Sequence, residues 1–397
     1  MPEVVSGQRR LALVVHALSG GGAERVMTDM ANYWARDGAD VTLITLAAAD
    51  TDVYHIDPSV RRIGLDMMRE SRGLITAAKN NLCRAGALRR ALRQARPDFV
   101  ISFTDQINVL TLVATLGLSL RVIICDRADP RHHPLGRAWS MLRRRFYGRC
   151  FSAVVQTEAV RAVIQPLVRR RPVYVIPNVA SRDTKQTISP SESPRRNSID
   201  GGTDRPFRLV AMGRLSPEKG FDILIDAFAS LTDRHPNWTL VIFGDGPLQG
   251  ALQQQIAGLD LEARVHLPGW TDDRMAEFSR ADLFVMSSHY EGFPNALLDA
   301  MASGLPAVSF DCPSGPAEII RHNVDGLLVE SENVTALADA LNQLMADDSR
   351  RSDYGVRATD VVHRFSAERF YARWEAVFEG AATNDQRFVP AGPAEQG

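Results

Sequence analysis

Glu291 and Asp299 stand eight residues apart in SSHYEGFPNALLDAMASGLP, Ser287–Pro306, on either side of the start of a helical pattern. Neither has an obvious metal-ligand partner, and eight helical residues span about 12 Å, so the pair is not built to share one proton or one metal. Pro294 suits the first turn of a helix, where the free amides of Asn295 and Ala296 form an anion site beside Glu291. A carboxylate repels a diphosphate but accepts hydrogen bonds from sugar hydroxyls. The spacing therefore favours a nucleotide sugar, with hexose at Glu291, phosphates at the helix N-terminus and ribose toward Asp299.

Two cations answer that reading. MGRLSPEKGFDILIDAF, Met212–Phe228, puts Arg214 just beyond a strand-like run at Gly213 and Lys219 five residues later, one of only three lysines in the chain. Arginine through its planar fork and lysine as a point charge can together neutralise a diphosphate. The spacing is not that of a Walker A loop. SGGGAERV, Ser19–Val26, is a glycine turn between a strand and a helix, where Gly21 and Gly22 let backbone amides approach a phosphate or a sugar. IFGDGPLQ, with Gly244 and Gly246, is a further strand-to-helix corner; alone, it is a turn.

These residues need a scaffold, and the chain supplies alternating strand-like and helical stretches, the pattern of βαβ units around parallel sheets. LALVVHAL, VTLITLA, DFVISF, RVIIC, SAVVQT and VYVIPN form one series; FRLVAMGRL, WTLVIFGDG, ARVHLPGW, ADLFVMSS and LPAVSF form another. At 397 residues the chain exceeds one ordinary core. The expectation is an α/β protein of two doubly wound, Rossmann-like domains facing a central cleft: residues 1–180, a Ser/Pro/Gly-rich linker at 181–206, and residues 207–365. A helix at 366–380 is expected to cross back to the first domain, ahead of a disordered tail at 381–397.

Net charge hides a polarity. Residues 1–178 carry 26 Lys and Arg against 15 Asp and Glu, and the remainder carries 20 against 32. The basic residues gather in CRAGALRRALRQAR, Cys83–Arg96, and GRAWSMLRRRFYGR, Gly136–Arg149, where aromatic and aliphatic residues interleave with arginine. Such a composition fits either a helix lying on an anionic bilayer or a solvated arginine-rich face. The longest apolar region, Val109–Leu120, is short of the ~20 residues of a membrane span. Four scattered cysteines indicate a reducing compartment.

Taken together, the stretch SSHYEGFPNALLDAMASGLPAVSFDCPSGPAEII, GRLSPEKGFDILIDAF, GDGP and the early GGAERV resembles the retaining glycosyltransferases of family four, over about residues 10–380. The resemblance implies a GT-B fold and a subgroup extending lipid-linked oligosaccharides, O-antigens or capsule. It implies that Arg214 and Lys219 stabilise the departing nucleotide's charge. Glu291 would hold donor hydroxyls; Gly213, Gly244, Gly292, Phe293 and Pro294 would line the donor, Asp299 would hold ribose, and Gly21 and Gly22 would approach from the first domain. The family usually has glutamate where Asp299 stands. RVHLPGW, Arg264–Trp270, is where relatives contact the base through backbone groups. CDRADPRHHP, Cys125–Pro134, places Asp126 and Arg127 on the acceptor side, ahead of His132 or His133.

The resulting expectation is a transferase that needs no metal or other cofactor, acting on a UDP-sugar rather than a GDP-sugar and on a polyprenyl-diphosphate-linked saccharide. It would work without nucleic acid, peripherally bound at the cytoplasmic face of the plasma membrane. The rivals are a non-hydrolysing nucleotide-sugar 2-epimerase of the same architecture, a family-four transferase with a soluble acceptor, and a non-catalytic sugar-binding relative. Asp50-Thr51-Asp52 matches the letters of a metal-binding DxD but precedes any sugar-binding sequence, and is read as chance.

Overall fold

A computed structural model describes residues 9–68, 73–132, 135–180 and 205–380. Residues 181–204 of the expected linker, and the expected tail from 381, lie outside them. The chain divides into two units, one running to Pro177 and resuming at Ala372, the other comprising Asn178–Tyr371.

The first unit contains β1 (Arg10–Val15), β2 (Asp40–Thr45), β3 (Arg61–Gly64), β4 (Phe99–Phe103), β5 (Arg121–Cys125), β6 (Ser152–Val155) and β7 (Val173–Val175). They form a parallel sheet in the order β3-β2-β1-β4-β5-β6-β7. Leu11–Val15 is buried along its whole length, as a strand covered on both faces should be. The last helix, Ala367–Glu379, contributes Trp374, edge-on to Trp34 at 5.5 Å, and Phe378, 4.9 Å from Phe99. Arg9 Nη1 pairs with Glu375 at 2.9 Å beside them.

The second unit contains β8 (Phe207–Met212), β9 (Trp238–Phe243), β10 (Val265–Gly269), β11 (Leu283–Met286), β12 (Ala307–Phe310) and β13 (Gly326–Val329). Their order is β10-β9-β8-β11-β12-β13, again parallel. Period-two alternation splits the core: Leu209 and Ala211 join the helices Phe221–Ala229 and Val334–Ala346, whereas Val210 joins Asn295–Ala302 on the opposite face. The four-residue strands β3 and β13 were absent from the sequence-based series, and both lie at sheet edges. Among the described residues no helix is long and apolar enough to cross a membrane.

Candidate active site

The strand order of the second unit reverses between β8 and β11, adjacent parallel strands whose onward connections run to opposite sides. Loops leaving their carboxyl ends diverge there, opening a crevice where ligands of such sheets bind. The β8 loop carries Gly213, Arg214 and Lys219; the β11 loop carries Ser287 through Asn295.

These loops are stitched together. Lys219 Nζ donates to Glu291 Oε1 at 2.6 Å, and Ser288 Oγ donates to the same oxygen at 2.7 Å. Both bonds fall on Oε1, which leaves Oε2 without a hydrogen bond among the described residues. Glu291 is thus held in place with one acceptor oxygen in reserve. Ser287 Oγ donates to the Lys219 carbonyl at 2.9 Å, His289 N to the Glu218 carbonyl at 2.9 Å, and Ser314 Oγ to the Glu291 carbonyl at 2.5 Å. Sequence reasoning missed Ser288 and Ser314, although Ser288 lies only three residues before the carboxylate it fixes.

Burial alone would lower the Lys219 pKa, but the Glu291 charge and hydrogen bond outweigh it and hold the ammonium above the ordinary lysine value. Buried Cys312, pushed up to about 12 first by burial and then by Glu291, stays a thiol rather than a nucleophile. Arg214 is exposed, with no ion pair among the described residues. Its segment is fixed by Gly213 N donating to the Phe243 carbonyl at 3.0 Å and Leu215 N to the Asp245 carbonyl at 2.9 Å.

Pro294 opens the helix Asn295–Ala302, and the Asn295 side-chain oxygen accepts from Asn178 Nδ2. Phe293 is packed in the core, 5.7 Å from Phe365, so only its backbone, like that of half-buried Gly292 and Ala296, can reach a ligand. Asp299 is placed differently from its expected ribose role. It is fully buried, 3.1 Å from Arg274 Nε, so its carboxylate presents no exposed face to a ribose. A groove of about 460 Å³ on one face of β8–β10 is lined by Arg208, Thr239, Val241, Phe243, His266 and Pro268, and by none of the candidate residues.

In the first unit the glycine turn is already occupied. Gly20 N and Gly21 N donate to Glu24 Oε2 at 3.1 and 3.2 Å, so the motif's own glutamate sits where a phosphate was expected. Gly22 begins the helix Gly22–Arg36. Asp126 is corrected as well: instead of facing an acceptor it is 1% exposed. Its Oδ1 accepts from Tyr147 OH at 2.9 Å and Asn108 Nδ2 at 3.3 Å. Burial, and then the neighbouring Asp105 carboxyl, push its pKa well up. Arg127 stacks over Phe103 at 4.1 Å, and desolvation lowers its pKa to about 10. His132 N donates to the Asp129 carbonyl at 3.1 Å, while His133 lies outside the described residues.

A carboxyl with a raised pKa binds its proton more tightly in the folded state, so its contribution to stability is present at acid pH and lost as pH rises through the folded pKa. Asp126→Asn keeps the shape and cannot ionise. The variant is therefore expected to melt about 2–4 °C higher at neutral pH, with a shallower fall in Tm from pH 5 to pH 8. Thermal unfolding across that range checks it, and a lower Tm at pH 8 would contradict the assignment.

Residues 20–183 match the family described as Glycosyltransferase Family 4, and residues 197–361 match Glycosyl transferases group 1. The chain is 39% identical over 227 residues to the exopolysaccharide phosphotransferase of Streptomyces coelicolor, covering 54% of this chain but only 24% of that protein. Over 366 residues, 92% of this chain and 97% of the relative, it is 24% identical to a Campylobacter jejuni α-1,4-N-acetylgalactosaminyltransferase. That enzyme's name specifies an undecaprenol-diphosphate-linked glycan as its substrate. A crystal structure of Anabaena HepE in complex with UDP superposes with a TM-score of 0.73 at 21% identity, covering 94% of this chain and all of that one. Solved glycosyltransferases of the two-sheet GT-B type share the fold.

Proposed function

The chain belongs to the family 4 glycosyltransferases, and on that premise we propose that it moves a hexose or N-acetylhexosamine from a UDP-sugar to a polyprenyl-diphosphate-linked saccharide, with retention of configuration. The observation that carries the reading is the Lys219–Glu291 contact at the carboxyl ends of β8 and β11. The contact sets an ammonium beside a carboxylate, and the reading takes the first for phosphate and the second for sugar hydroxyls. When the bond between the anomeric carbon and the phosphate oxygen breaks, its electron pair passes to the diphosphate. Arg214 and Lys219 meet that charge, so departure needs neither a general acid nor a metal. Glu291 Oε2 accepts from the donor sugar and fixes which carbon faces the acceptor.

The UDP in the HepE crystal and the lipid-linked substrate in the Campylobacter enzyme's name support the choice of donor and acceptor. The test is a panel of UDP- and GDP-sugars in EDTA, with and without a polyprenyl-diphosphate-linked saccharide. Transfer that requires the lipid-linked saccharide supports the proposal. Isomerisation of the donor without acceptor selects the epimerase, and transfer only to water-soluble sugars removes the lipid acceptor.

Membrane association belongs to the same proposal and narrows to particular residues. Arg84 and Arg89 of the basic run are engaged internally, Arg84 with the Met67 carbonyl and Arg89 with those of Ala114 and Leu116. On the helix Leu74–Ala95, Ile75 and Leu82 are 88% and 73% exposed, one heptad apart with Lys79 between them. Such a face suits an anionic bilayer surface. Flotation with phosphatidylglycerol vesicles is expected to carry the wild type and leave Ile75→Asp/Leu82→Asp behind; equal flotation of both contradicts the docking face.

A further inference from the structure

The first sheet has its own change of strand order, between β1 and β4, adjacent parallel strands whose onward connections run to opposite sides. Beyond their carboxyl ends each chain is anchored outward. The His16 carbonyl accepts from Leu46 N at 3.1 Å and Ala47 N at 3.0 Å on the β2 side, while Thr104 N donates to the Cys125 carbonyl at 3.1 Å on the β5 side. The gap between them is the kind of crevice in which such sheets take ligands.

Two polar side chains meet there. β1 and β4 pair Leu11 with Phe99 and Val14 with Ser102, so the same register carried two residues on sets His16 beside Thr104. With neighbouring strands ~4.8 Å apart, one sugar ring can touch both. His16 is exposed, and its ring makes no hydrogen bond among the described residues. Thr104 is half-buried, and its hydroxyl makes no capping bond to the helix Asp105–Ala114 that it precedes.

Thr104 is also held at φ +75 and ψ 149, a region that belongs essentially to glycine and makes a β-branched residue an outlier. Its amide and carbonyl are both bonded, the carbonyl accepting from Asn108 N at 2.8 Å, so the surroundings impose the conformation. Glycine would suit this backbone better. What threonine adds is a hydroxyl at the crevice.

The charge state of the pair indicates what it recognises. Desolvation lowers the His16 pKa; Glu24 of the helix Gly22–Arg36 opposes that shift, and Arg84 of the helix Leu74–Ala95 adds to it. The imidazole is therefore neutral at neutral pH. A neutral imidazole and a hydroxyl each donate and accept, as sugar hydroxyls do. Neither offers charge to a diphosphate, and the neighbouring amides of Gly20 and Gly21 are already taken by Glu24. Lys219, Arg214 and Glu291, the donor's groups, all belong to the second unit.

We propose that His16 and Thr104 bind hydroxyls of the acceptor saccharide. The proposal rests on the transfer reading above and deepens it, moving the acceptor contact from the expected Asp126 to the β1–β4 crevice.

The experiment measures transfer to a short-chain polyprenyl diphosphate carrying one N-acetylhexosamine, for wild type, His16→Ala, His16→Gln and Thr104→Gly. UDP is titrated by calorimetry, and the same polyprenyl diphosphate without sugar serves as competitor. His16→Ala and Thr104→Gly should each raise the acceptor KM about 2- to 12-fold, the loss of one neutral hydrogen bond. The Kd for UDP and the inhibition constant of the sugarless competitor should not move. His16→Gln keeps a donor and an acceptor, and should stay within about twofold of wild type. The wild-type acceptor KM should climb as pH falls below about 6, where the ring gains a proton and loses its lone pair, whereas His16→Gln should be flat. Thr104→Gly should melt no lower than wild type, because relief of strain accompanies the lost contact. Unchanged acceptor KM in both His16→Ala and Thr104→Gly would overturn the pair, as would an equal loss of affinity for the sugarless competitor. If the wild type transfers sugar to no lipid-linked saccharide, the transfer reading itself fails, an outcome distinct from a failure of His16 and Thr104.

Discussion

Lys219→Ala is expected to lower kcat for sugar transfer about 10²- to 10³-fold, the usual loss when a preorganised donor to developing transition-state charge is removed. The ammonium is one-fifth exposed and held 2.6 Å from Glu291, so its position is set before any ligand arrives. Its raised pKa gives the sign of the pH dependence. The Lys219–Glu291 pairing is fully present below the ordinary lysine pKa and is lost as pH rises through the higher folded value. Activity should therefore show no loss attributable to Lys219 between pH 6 and pH 9. Truncating either partner also leaves the other largely buried and unpaired, at a cost of up to about 3–5 kcal/mol of stability. Lys219→Ala/Glu291→Ala removes both charges together, and is expected to recover much of that stability while remaining inactive. Calorimetry beside the transfer assay separates the two effects; activity that returned with stability would mean the pair is only a brace.

The second large effect is on the backbone. Gly244 has φ +137, and a Cβ there would lie 1.9 Å from the Gly213 carbonyl oxygen, an overlap that no rotamer change relieves. Gly244→Ala must either push the Gly213–Arg214 segment aside or break the Gly244 N bond to the Gly269 carbonyl. The expected cost is about 3 kcal/mol or more, or roughly 6–12 °C in Tm for a unit of this size. UDP affinity should fall with it, since the displaced segment carries Arg214. Gly250→Ala is the control: it lies in the helix Gln249–Gly258 with nothing within 4 Å of an added Cβ, and should be neutral or slightly stabilising. Equal thermal stability of Gly244→Ala and wild type would contradict the close approach.

What could be read from sequence divides by range. Strands carried as unbroken apolar runs, such as Leu11–Val15 and Leu283–Met286, were legible because burial on both faces leaves a local signature. β3 escaped because RRIG holds two arginines at a sheet edge, and β13 because four residues, GLLV, give no period. The Lys219–Glu291 relation was legible as two cation- and carboxylate-bearing loops, although their direct contact joins residues 72 apart. Asp126 looked like a loop residue in CDRADP; its burial is decided by Asn108 and Tyr147, 18 and 21 residues away. Asp299 likewise gave no local hint of Arg274. The occupation of the glycine turn by Glu24 had a signal in the sequence itself: a glutamate three residues into the helix after the cap is how a helix satisfies its own first amides.

The central claim is that transfer runs through the cation and carboxylate that β8 and β11 bring together. Its most direct test follows the release of UDP and the gain of one sugar on a polyprenyl-diphosphate-linked acceptor, by mass spectrometry, for wild type, Lys219→Ala and Glu291→Gln. Donor-dependent gain of one sugar by the wild type, cut by at least about 10²-fold in both variants with the fold intact, is the predicted result. Undiminished transfer by both variants would contradict it.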